Sequence, residues 1–370
     1  MDASFFIARR LRFRRRIVTA SVAVSFLVMI IAVSISSGFR HEIREGISSV
    51  AGDIRLTPPD QNVLDESSPI ERDPAYLASL MEVEGVDKVI PVVYKAGIVK
   101  NGDNIHGVLF KGVPDGVPAG NDSIPLRVSI PSRLAEITSL KVGDRMLAYF
   151  VGEKVKMRQF NVVAVHDVLV ETDDNLIVHA DISDMQRLSG WDGGQVSALE
   201  ILMKPSHRSE TDLRVATMQA GSLVNAYSFD SESPVIATSA PAMYPQIFDW
   251  LDLIDFNVFF ILLLMTVVAG FNMISGLLIM LFENISTIGL LKSLGMTDRA
   301  ISKVFLSSSA VLTAKGMAIG NALALLFCLI QGTTHFIPLN PETYFVSYVP
   351  VSVDFPIILL ADAASFVVFM

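Results

Sequence analysis

"ENISTIGLLKSLGMTDRA", residues 283–300, lies between two long apolar runs at residues 256–282 and 304–331. Gly295 predicts a glycine stop just after a helix, and Thr297 or Asp298 can cap the next one. We therefore expect a short amphipathic helix between two long ones. Its apolar side could rest on lipid or fit a groove on a partner, and the pattern favours neither. Apolar residues recur there at every third position, a spacing typical of one side of a helix: Ile285, Ile288, Leu291 and Leu294.

Four apolar segments predict a membrane protein. A helix needs about 20 mostly apolar residues to cross a bilayer, and residues 17–39, 256–282 and 304–331 meet that need. A fourth run at residues 355–370 is shorter, so we expect the sequence to stop inside its fourth span. The composition agrees, because only 18% of the residues are charged, against roughly 25% in soluble domains.

Basic residues predict the orientation of these spans, because they concentrate on the cytoplasmic side. Arginines and apolar residues alternate in residues 1–16, which predicts a cytoplasmic helix lying on the membrane surface. Lys292, Arg299 and Lys303 lie in residues 283–303, whereas residues 332–354 contain no Lys or Arg. We therefore expect the first of these two segments inside and the second outside.

The first span has one alternative interpretation, a cleaved signal peptide. The basic start fits such a peptide, but its apolar core is usually only about 7–15 residues long. Residues 17–39 exceed that length and lead into the helix-like stretch "GFRHEIREGISSV". We therefore expect an uncleaved anchor, followed by an outer domain at residues 40–250.

The outer domain has the pattern of an α+β fold. The stretch "DKVIPVVYKAGIVKNGDNIHGVLFKGV" predicts two strands joined by a hairpin at residues 101–104. "RMLAYFV" and "RQFNVVAVHDVLV" predict further strands. "DPAYLASLMEVEG", "DISDMQRLSG" and "TDLRVATMQAG" predict helices, the last two ended by glycine. We expect two lobes, whose boundary the sequence does not reveal.

The residues that usually carry catalysis or bind metals form no convincing set. The sequence contains no G-x-x-x-x-G-K-[ST] loop for ATP. "HEIRE" at residues 41–45 begins like a zinc protease motif but has Glu45 in place of the second histidine. The six histidines are scattered, and the acidic clusters at residues 173–174 and 181–184 suggest solvated surface. A net charge of −9 argues against nucleic-acid binding. We expect no enzyme, no metal and no bound cofactor.

The opening stretch resembles the coupling segment of FtsX/MacB-type ABC transporter permeases, which follows E-x-x-x-x-I-G-(I/L)-L-(K/R)-(A/S)-L-G. Many members carry an arginine after the first glutamate and an acid before the isoleucine, where this chain has Asn284 and Thr287. The polar contacts that those two residues would make with the ATPase are therefore not expected here. "FFIARRLRFRRR", "VSISSGFRHEIREGISSVAGDIRL", "IPSRLAEITSLKVGD" and "FIPLNPETYFVSYVPV" resemble the lipoprotein-releasing (LolC/LolE-type) branch. The residues that match the motif, together with Ile285, are the expected ATPase-coupling set: Glu283, Ile285, Ile288, Gly289, Leu291, Lys292, Leu294 and Gly295.

This resemblance implies four membrane helices and a MacB-like periplasmic α+β domain. It also implies a bacterial inner-membrane complex of two permease chains, identical or different, with a cytoplasmic ATPase dimer that binds ATP and Mg. In the lipoprotein-releasing branch the complex delivers a lipid-anchored protein to a periplasmic carrier. Alternatives within the fold are activation of a cell-wall hydrolase and export from the periplasm. An alternative of another class is a structural or receptor membrane protein without an ATPase.

Two sets of intramembrane residues follow from this expectation. Lys315 should face protein, for example the other permease chain or a polar group such as Asn272, and Gly316 and Gly320 permit close helix packing. Apolar residues at the outer ends of the first two spans could shelter acyl chains, although ordinary helix packing explains each of them as well: Val33, Ile35, Phe39, Phe256, Val258 and Phe259.

Overall fold

The computed structural model describes residues 15–59, 68–102, 104–114, 116–117, 125–150, 155–167, 176–227 and 234–369. Three expectations from the sequence therefore lie outside the described residues. These are nearly all of the surface helix at residues 1–16, Asp103 of the hairpin turn, and the acidic pair at residues 173–174.

Helices and strands alternate irregularly along the chain. The helices are α1 Arg15–Ala51, α2 Leu77–Met81, α3 Ser132–Thr138, α4 Ile182–Ser189, α5 Glu210–Tyr227, α6 Ala240–Met243, α7 Pro245–Glu283, α8 Ile285–Ser293, α9 Asp298–Thr334, α10 Pro341–Tyr344 and α11 Phe355–Phe369. The strands are β1 Ile54–Thr57, β2 Ile70–Glu71, β3 Val86–Asn101, β4 Asn104–Val113, β5 Arg127–Pro131, β6 Arg145–Phe150, β7 Lys156–His166, β8 Ile177–Asp181, β9 Gln195–Val196, β10 Ala198–Met203 and β11 Ile236–Ser239.

The chain divides into two compact units. The helical unit comprises Met1–His41, Asp249–Leu339 and Tyr348–Met370, and the sheet unit comprises Glu42–Phe248 and Asn340–Ser347. Because their boundaries fall inside α1 and α7, both of these helices contribute residues to each unit.

Within the described residues, three helices are long and apolar enough to cross a membrane, namely Val18–Ala51, Pro245–Glu283 and Asp298–Thr334. The fourth predicted span forms α11, which has 15 residues. The first two helices extend well beyond their apolar runs. α1 continues to Ala51 and α7 begins at Pro245, because a helix satisfies its own backbone hydrogen bonds and its polar positions can face water.

Large and small residues interlock between α1 and α7 in the helical unit. Gly276 of α7 lies against Val18, where an added Cβ would come within 2.8 Å of the valine Cγ1. Along α1, Val22, Phe26 and Met29 form a buried cluster with Ala269 of α7. The predicted spans therefore pack on α1 through small residues that let helix backbones approach.

The long strand β3 organises the sheet unit. Its first part pairs antiparallel with β10, from Val86 to Val92, and its second part pairs antiparallel with β4, from Val93 to Asn101. The end of β3 also pairs with β6, Ile98 lying opposite Tyr149. The strands β3-β4-β8-β5-β7-β6 therefore close into a small barrel, while β11-β1-β10 extends from β3 as an open sheet. The lobe boundary that the sequence left open lies inside β3.

Apolar side chains fill both lobes as one continuous core. The barrel contains Phe110, Phe150 and Phe160, each at most 1% exposed, with ring centroids 4.9–6.1 Å apart. In the open lobe, α5 packs against β11, because one side of this helix is apolar. The residues buried on that side are Leu213, Ala216, Ala220 and Val224.

The predicted turns and helix ends were correct where the residues have a strong local preference for them. The hairpin of β3 and β4 is confirmed, with Asn101 opposite Asn104, as are β6 and β7. α4 ends at Gly190, whose φ of 78° is left-handed, as predicted. The predicted stop at Gly221 is wrong, because α5 continues to Tyr227. A mid-helix glycine costs only about 1 kcal/mol relative to alanine, so the buried side of α5 outweighs it.

Candidate functional site

The segment between α7 and α9 folds as the separate helix α8. Asn284 interrupts the helix ahead of it, and Gly295 ends it with a φ of 88°. The N–H of Gly295 donates to the Lys292 carbonyl, and the N–H of Met296 donates to the Leu291 carbonyl, both at 3.0 Å. This pair of bonds is the Schellman arrangement that favours glycine, so the predicted stop is confirmed. Thr297 occupies the N-cap position of α9 without a side-chain capping bond.

The four apolar residues of α8 do not form one face. Every third residue of an α-helix is displaced by about 60° from a straight row, so four of them wind about halfway around it. Ile288 and Leu291 are partly buried, Ile288 beside Ile301 and Phe305 of α9. Ile285 and Leu294 are 62% and 76% exposed. The expectation of a single apolar stripe is therefore corrected: part of it holds α8 to its own chain.

An exposed face of α8 remains, which we define as Ile285, Ser286, Gly289, Leu290 and Ser293. Sequence reasoning missed Leu290, which is 62% exposed. Gly289 lies between the two apolar residues, and an added Cβ would meet no atom within 4 Å. Because glycine inside a helix costs about 1 kcal/mol relative to alanine, and the described chain has no steric need for it, this small surface suits contact with another molecule.

The charged residues at the ends of α8 are also exposed. Lys292 forms an ion pair with Asp298 at the start of α9, with Nζ 2.7 Å from Oδ1. Glu283, at the end of α7, lies on the surface. An ion pair between side chains this exposed is worth at most about 1 kcal/mol, so Lys292 can exchange Asp298 for a group on another molecule. Glu283 is likewise accessible to such a molecule.

The residues expected to face acyl chains divide into two groups. Val33 and Phe39 of α1 are buried, and Phe39 packs edge-on against Trp250 at 5.6 Å. For these two the expected exposure is wrong, because neighbouring helices cover this side of α1 in the single chain. Ile35 and Val258 are partly buried.

The members of this set that are exposed, Phe256 and Phe259, both lie on α7. Phe256 and Phe259 are 58% and 59% exposed, and Phe260, which the sequence argument omitted, is 50% exposed. The rings of Phe256 and Phe260 lie 4.8 Å apart, so they form a continuous apolar surface. The helical period would have shown Phe260 as a neighbour of Phe256, one turn away.

A polar cluster joins α1 to α7 within the helical unit. The Ser36 hydroxyl donates to Asp255 Oδ1 at 2.6 Å, and Arg40 forms an ion pair with the other oxygen of the same carboxylate. Asp252 lies 3.8 Å from the same guanidinium. No sequence motif marked this cluster, because its members are more than 200 positions apart in the chain.

The two glycines on α9 lie where helices meet. An added Cβ at Gly316 would come within 2.7 Å of Val22, and one at Gly320 would come within 2.9 Å of Phe26, both on α1. This is the close helix approach that the spacing predicts. Lys315 beside them is exposed and Asn272 is partly buried. Among the described residues they form no hydrogen bond with each other, so a partner for Lys315 from another chain stays a prediction.

A buried charged network closes the end of α1 in the sheet unit. Lys111 of β4 donates to the Val50 carbonyl at 2.6 Å and to Glu200 Oε2 at 2.8 Å. Tyr94 of β3 donates to Glu200 Oε1 and accepts from Arg55 Nη2 at 2.9 Å. Because Val50 belongs to the last turn of α1, a cation on its carbonyl is favourable there. The network ties the end of α1 to β10, β4 and β3.

Burial shifts the pKa values of two members of this network, Lys111 and Tyr94. It lowers the pKa of the Lys111 ammonium, although Glu200 opposes the shift. Burial also raises the pKa of the Tyr94 hydroxyl well above its usual value, and the Glu200 charge adds to the rise. Glu200 is only 2% exposed, so its carboxylate depends on these donors for compensation.

The histidines expected to be structural lie in the barrel. His166 and His179 stack with ring centroids 4.7 Å apart, and Ser129 Oγ lies 2.8 Å from His166 Nδ1. The "HEIRE" residues lie within α1. In the part of the chain that the structure describes, no group of three or more His, Cys, Asp or Glu residues could hold a metal ion.

Comparisons with known proteins agree with the resemblance found in the sequence. The family model for the FtsX-like permease C-terminal region matches residues 259–370. The chain is 23% identical over 365 residues to the lipoprotein-releasing system transmembrane protein LolC of Neisseria meningitidis serogroup B, covering 90% of this chain and 84% of that protein. It is 22% identical over 373 residues to LolC of Xylella fastidiosa, covering 94% and 87%. The resemblance to FtsX/MacB-type permeases, with LolC-like relatives, is confirmed.

Two solved structures resemble part of the chain. The extracellular domain of the noncanonic ABC-type transporter YknZ from Gram-positive bacteria is 12% identical, covers 50% of this chain and 99% of that one, and has a TM-score of 0.32. The periplasmic region of MacB from Actinobacillus actinomycetemcomitans is 13% identical, covers 55% and 95%, and has a TM-score of 0.33. The α+β assignment given above therefore rests on the strand order of this chain itself.

Proposed function

We propose that this chain is the permease subunit of an ABC transporter that extracts lipoproteins from a bacterial inner membrane and passes them to a periplasmic carrier. The observation that carries the proposal is the exposed face of α8, with Gly289 between Ile285 and Leu290. Exposed apolar residues beside a glycine with open space around it suit insertion into a groove on a protein partner. The chain is not itself the enzyme in this proposal, because ATP and Mg bind to the separate ATPase.

The order of elements suggests how force would travel. α8 lies between α7 and α9, and Ile288 packs against the start of α9. A push on α8 from a closing ATPase dimer would therefore act on both long helices. α7 follows α6 and β11, and β11 pairs with β1, which follows α1. Motion of the helices would reach the sheet unit, proposed to be periplasmic, through this pair of strands.

Lipoprotein extraction has a physical need for ATP. Moving an acyl chain out of the bilayer costs about 0.8 kcal/mol for each CH₂ group, so a multi-acyl anchor leaves spontaneously only very rarely. The surface formed by Phe256, Phe259 and Phe260 offers an apolar contact for such a chain during transfer.

The first experiment tests the ATPase contact. The full-length chain is purified in detergent from its own host, in three forms: wild type, Ile285→Asp with Leu290→Asp, and the control Val215→Asp with Met218→Asp. Both control residues are exposed on α5, so the control adds the same charge elsewhere. We expect a P-loop ATPase to accompany the wild type and the control but not the α8 variant. Equal recovery from all three would reject α8 as the coupling helix.

The second experiment tests the substrate. Vesicles that contain the complex and a fluorescent triacylated lipoprotein are incubated with ATP and a soluble fraction of the periplasm. We expect ATP-dependent transfer of the lipoprotein to a soluble carrier. Co-purification of a cell-wall hydrolase or an outer-membrane duct, without transfer, would instead favour one of the related permease functions.

A further inference from the structure

An acidic residue lies inside the shortest of the apolar helices. Asp362 is the one charged residue of α11, and it is only 7% exposed. Asn321 of α9 donates from Nδ2 to Asp362 Oδ2 at 2.5 Å. An ionisable side chain within a membrane helix is rare and usually functional, so Asp362 is a candidate functional residue.

The remaining oxygen atoms of the pair have no partner. Asp362 Oδ1 and Asn321 Oδ1 are both buried, and each lacks a hydrogen bond among the described residues. Nearby, the Ser365 hydroxyl points to Met29 Sδ at 3.5 Å instead. An ionised carboxylate and an amide oxygen are both acceptors only, so they cannot satisfy each other.

No cation in the described helices compensates an ionised Asp362. Residues 18–39 and 256–282 contain no charged residue, and residues 304–331 contain only Lys315. Lys315 is exposed. It lies six positions before Asn321 on α9, a rotation of about 240° around the helix, so the two side chains point to different sides. An ionised Asp362 would therefore be a buried charge with a single neutral donor, which is strongly unfavourable.

One added proton satisfies both unpartnered atoms. It turns Asp362 Oδ1 into a donor whose natural acceptor is Asn321 Oδ1, while Asn321 Nδ2 keeps its bond to Oδ2. We propose that Asp362 and Asn321 form a proton-binding site in the helical unit, a carboxylic acid–amide pair joined by two hydrogen bonds. The proton comes from solvent, and only an O–H bond forms. The pair fastens α11 to α9, the helix that follows α8.

Infrared spectroscopy of the full-length chain in lipid nanodiscs at neutral pH tests the protonation directly. We expect the wild-type spectrum, minus that of Asp362→Asn, to contain the C=O band of a protonated carboxylic acid. Asn321→Leu should shift this band, because it removes the hydrogen-bonding partner. A difference spectrum with carboxylate bands and no carboxylic acid band would overturn the proposal.

Thermal unfolding of the same samples tests the fastening role. Asp362→Asn keeps two complementary hydrogen bonds, so its melting temperature should match that of the wild type within error, whereas Asp362→Leu and Asn321→Leu should each melt earlier. The double Leu variant should melt no earlier than either single one. The control is Thr266→Val on α7, whose hydroxyl bonds only to its own helix. Asp362→Asn melting as early as Asp362→Leu would show that the pair is not neutral.

Discussion

At the scale of single residues, the stacked histidines make the sheet unit sensitive to acid. Burial lowers the pKa of His179 from 6.5 to about 3, and the His166 and Lys111 charges add to the effect. The unfolded chain therefore binds the proton more readily, and stability is lost as the pH falls from about 6.5 toward about 3. We expect His179→Gln to reduce this loss, which can reach about 1.4 kcal/mol per pH unit.

Unfolding of the full chain between pH 7 and pH 4, followed by circular dichroism, measures this dependence. His106→Gln on β4 is the matched control, because His106 lies outside the stacked pair. A His179→Gln variant with the same acid sensitivity as the control would show that other groups cause the loss.

Also at the residue scale, Lys111 compensates the buried charge of Glu200. Lys111→Met leaves the Val50 carbonyl without its cation and leaves Glu200 with Arg55, whose Nη2 is 3.7 Å away, as its remaining positive neighbour. Removing one partner of a buried pair costs about 3–5 kcal/mol, and we expect the lower end because Tyr94 still donates. Lys111→Met with Glu200→Gln should be more stable than Lys111→Met alone in the same unfolding assay. If it is less stable, Glu200 has a stabilising role apart from this lysine.

At the scale of elements, two glycines of one segment should respond oppositely to alanine. Gly295→Ala places a side chain at a φ of 88°, which costs roughly 1–2 kcal/mol and loosens the end of α8. Gly289→Ala meets no atom within 4 Å and gains about 1 kcal/mol of helix propensity. We expect Gly289→Ala to keep or raise the melting temperature yet recover less ATPase. Normal ATPase recovery with Gly289→Ala would mean that the partner does not approach this face closely.

The same segment illustrates what a sequence pattern can and cannot specify. Gly295 was predictable, because a left-handed stop is a local property of a few residues. The partial burial of Ile288 and the exposure of Ile285 and Leu294 were not predictable, because they depend on where α9 lies. β1, β10 and β11 were missed for a related reason. They are short strands, and their pairing joins residues far apart in the chain, such as Ile54 and Ser239.

At the scale of the whole molecule, composition and resemblance were enough to predict apolar helices and an α+β domain. The apolar runs indicate the long helices directly, and the strand and turn patterns indicate the α+β domain. The Asn321–Asp362 pair, the Glu200 network and the Asp255 cluster were not predictable, because each is assembled from residues on different elements. Polar groups such as these acquire meaning only when the fold brings their partners within hydrogen-bonding distance.

A single chain leaves part of the surface of α9 uncovered. Lys315 is exposed beside Gly316, which packs on α1, and a lysine near the bilayer centre costs about 2.5–3.5 kcal/mol on insertion scales. In the proposed complex of two permease chains, we therefore expect a polar group on the second chain to pair with it. Lys315→Leu should weaken assembly of the permease pair in detergent, measured by mass photometry, whereas Lys315→Arg should preserve it. Equal assembly of the wild type and both variants would place Lys315 at a lipid or water surface, because a charge that pairs across the interface cannot be removed without loosening it.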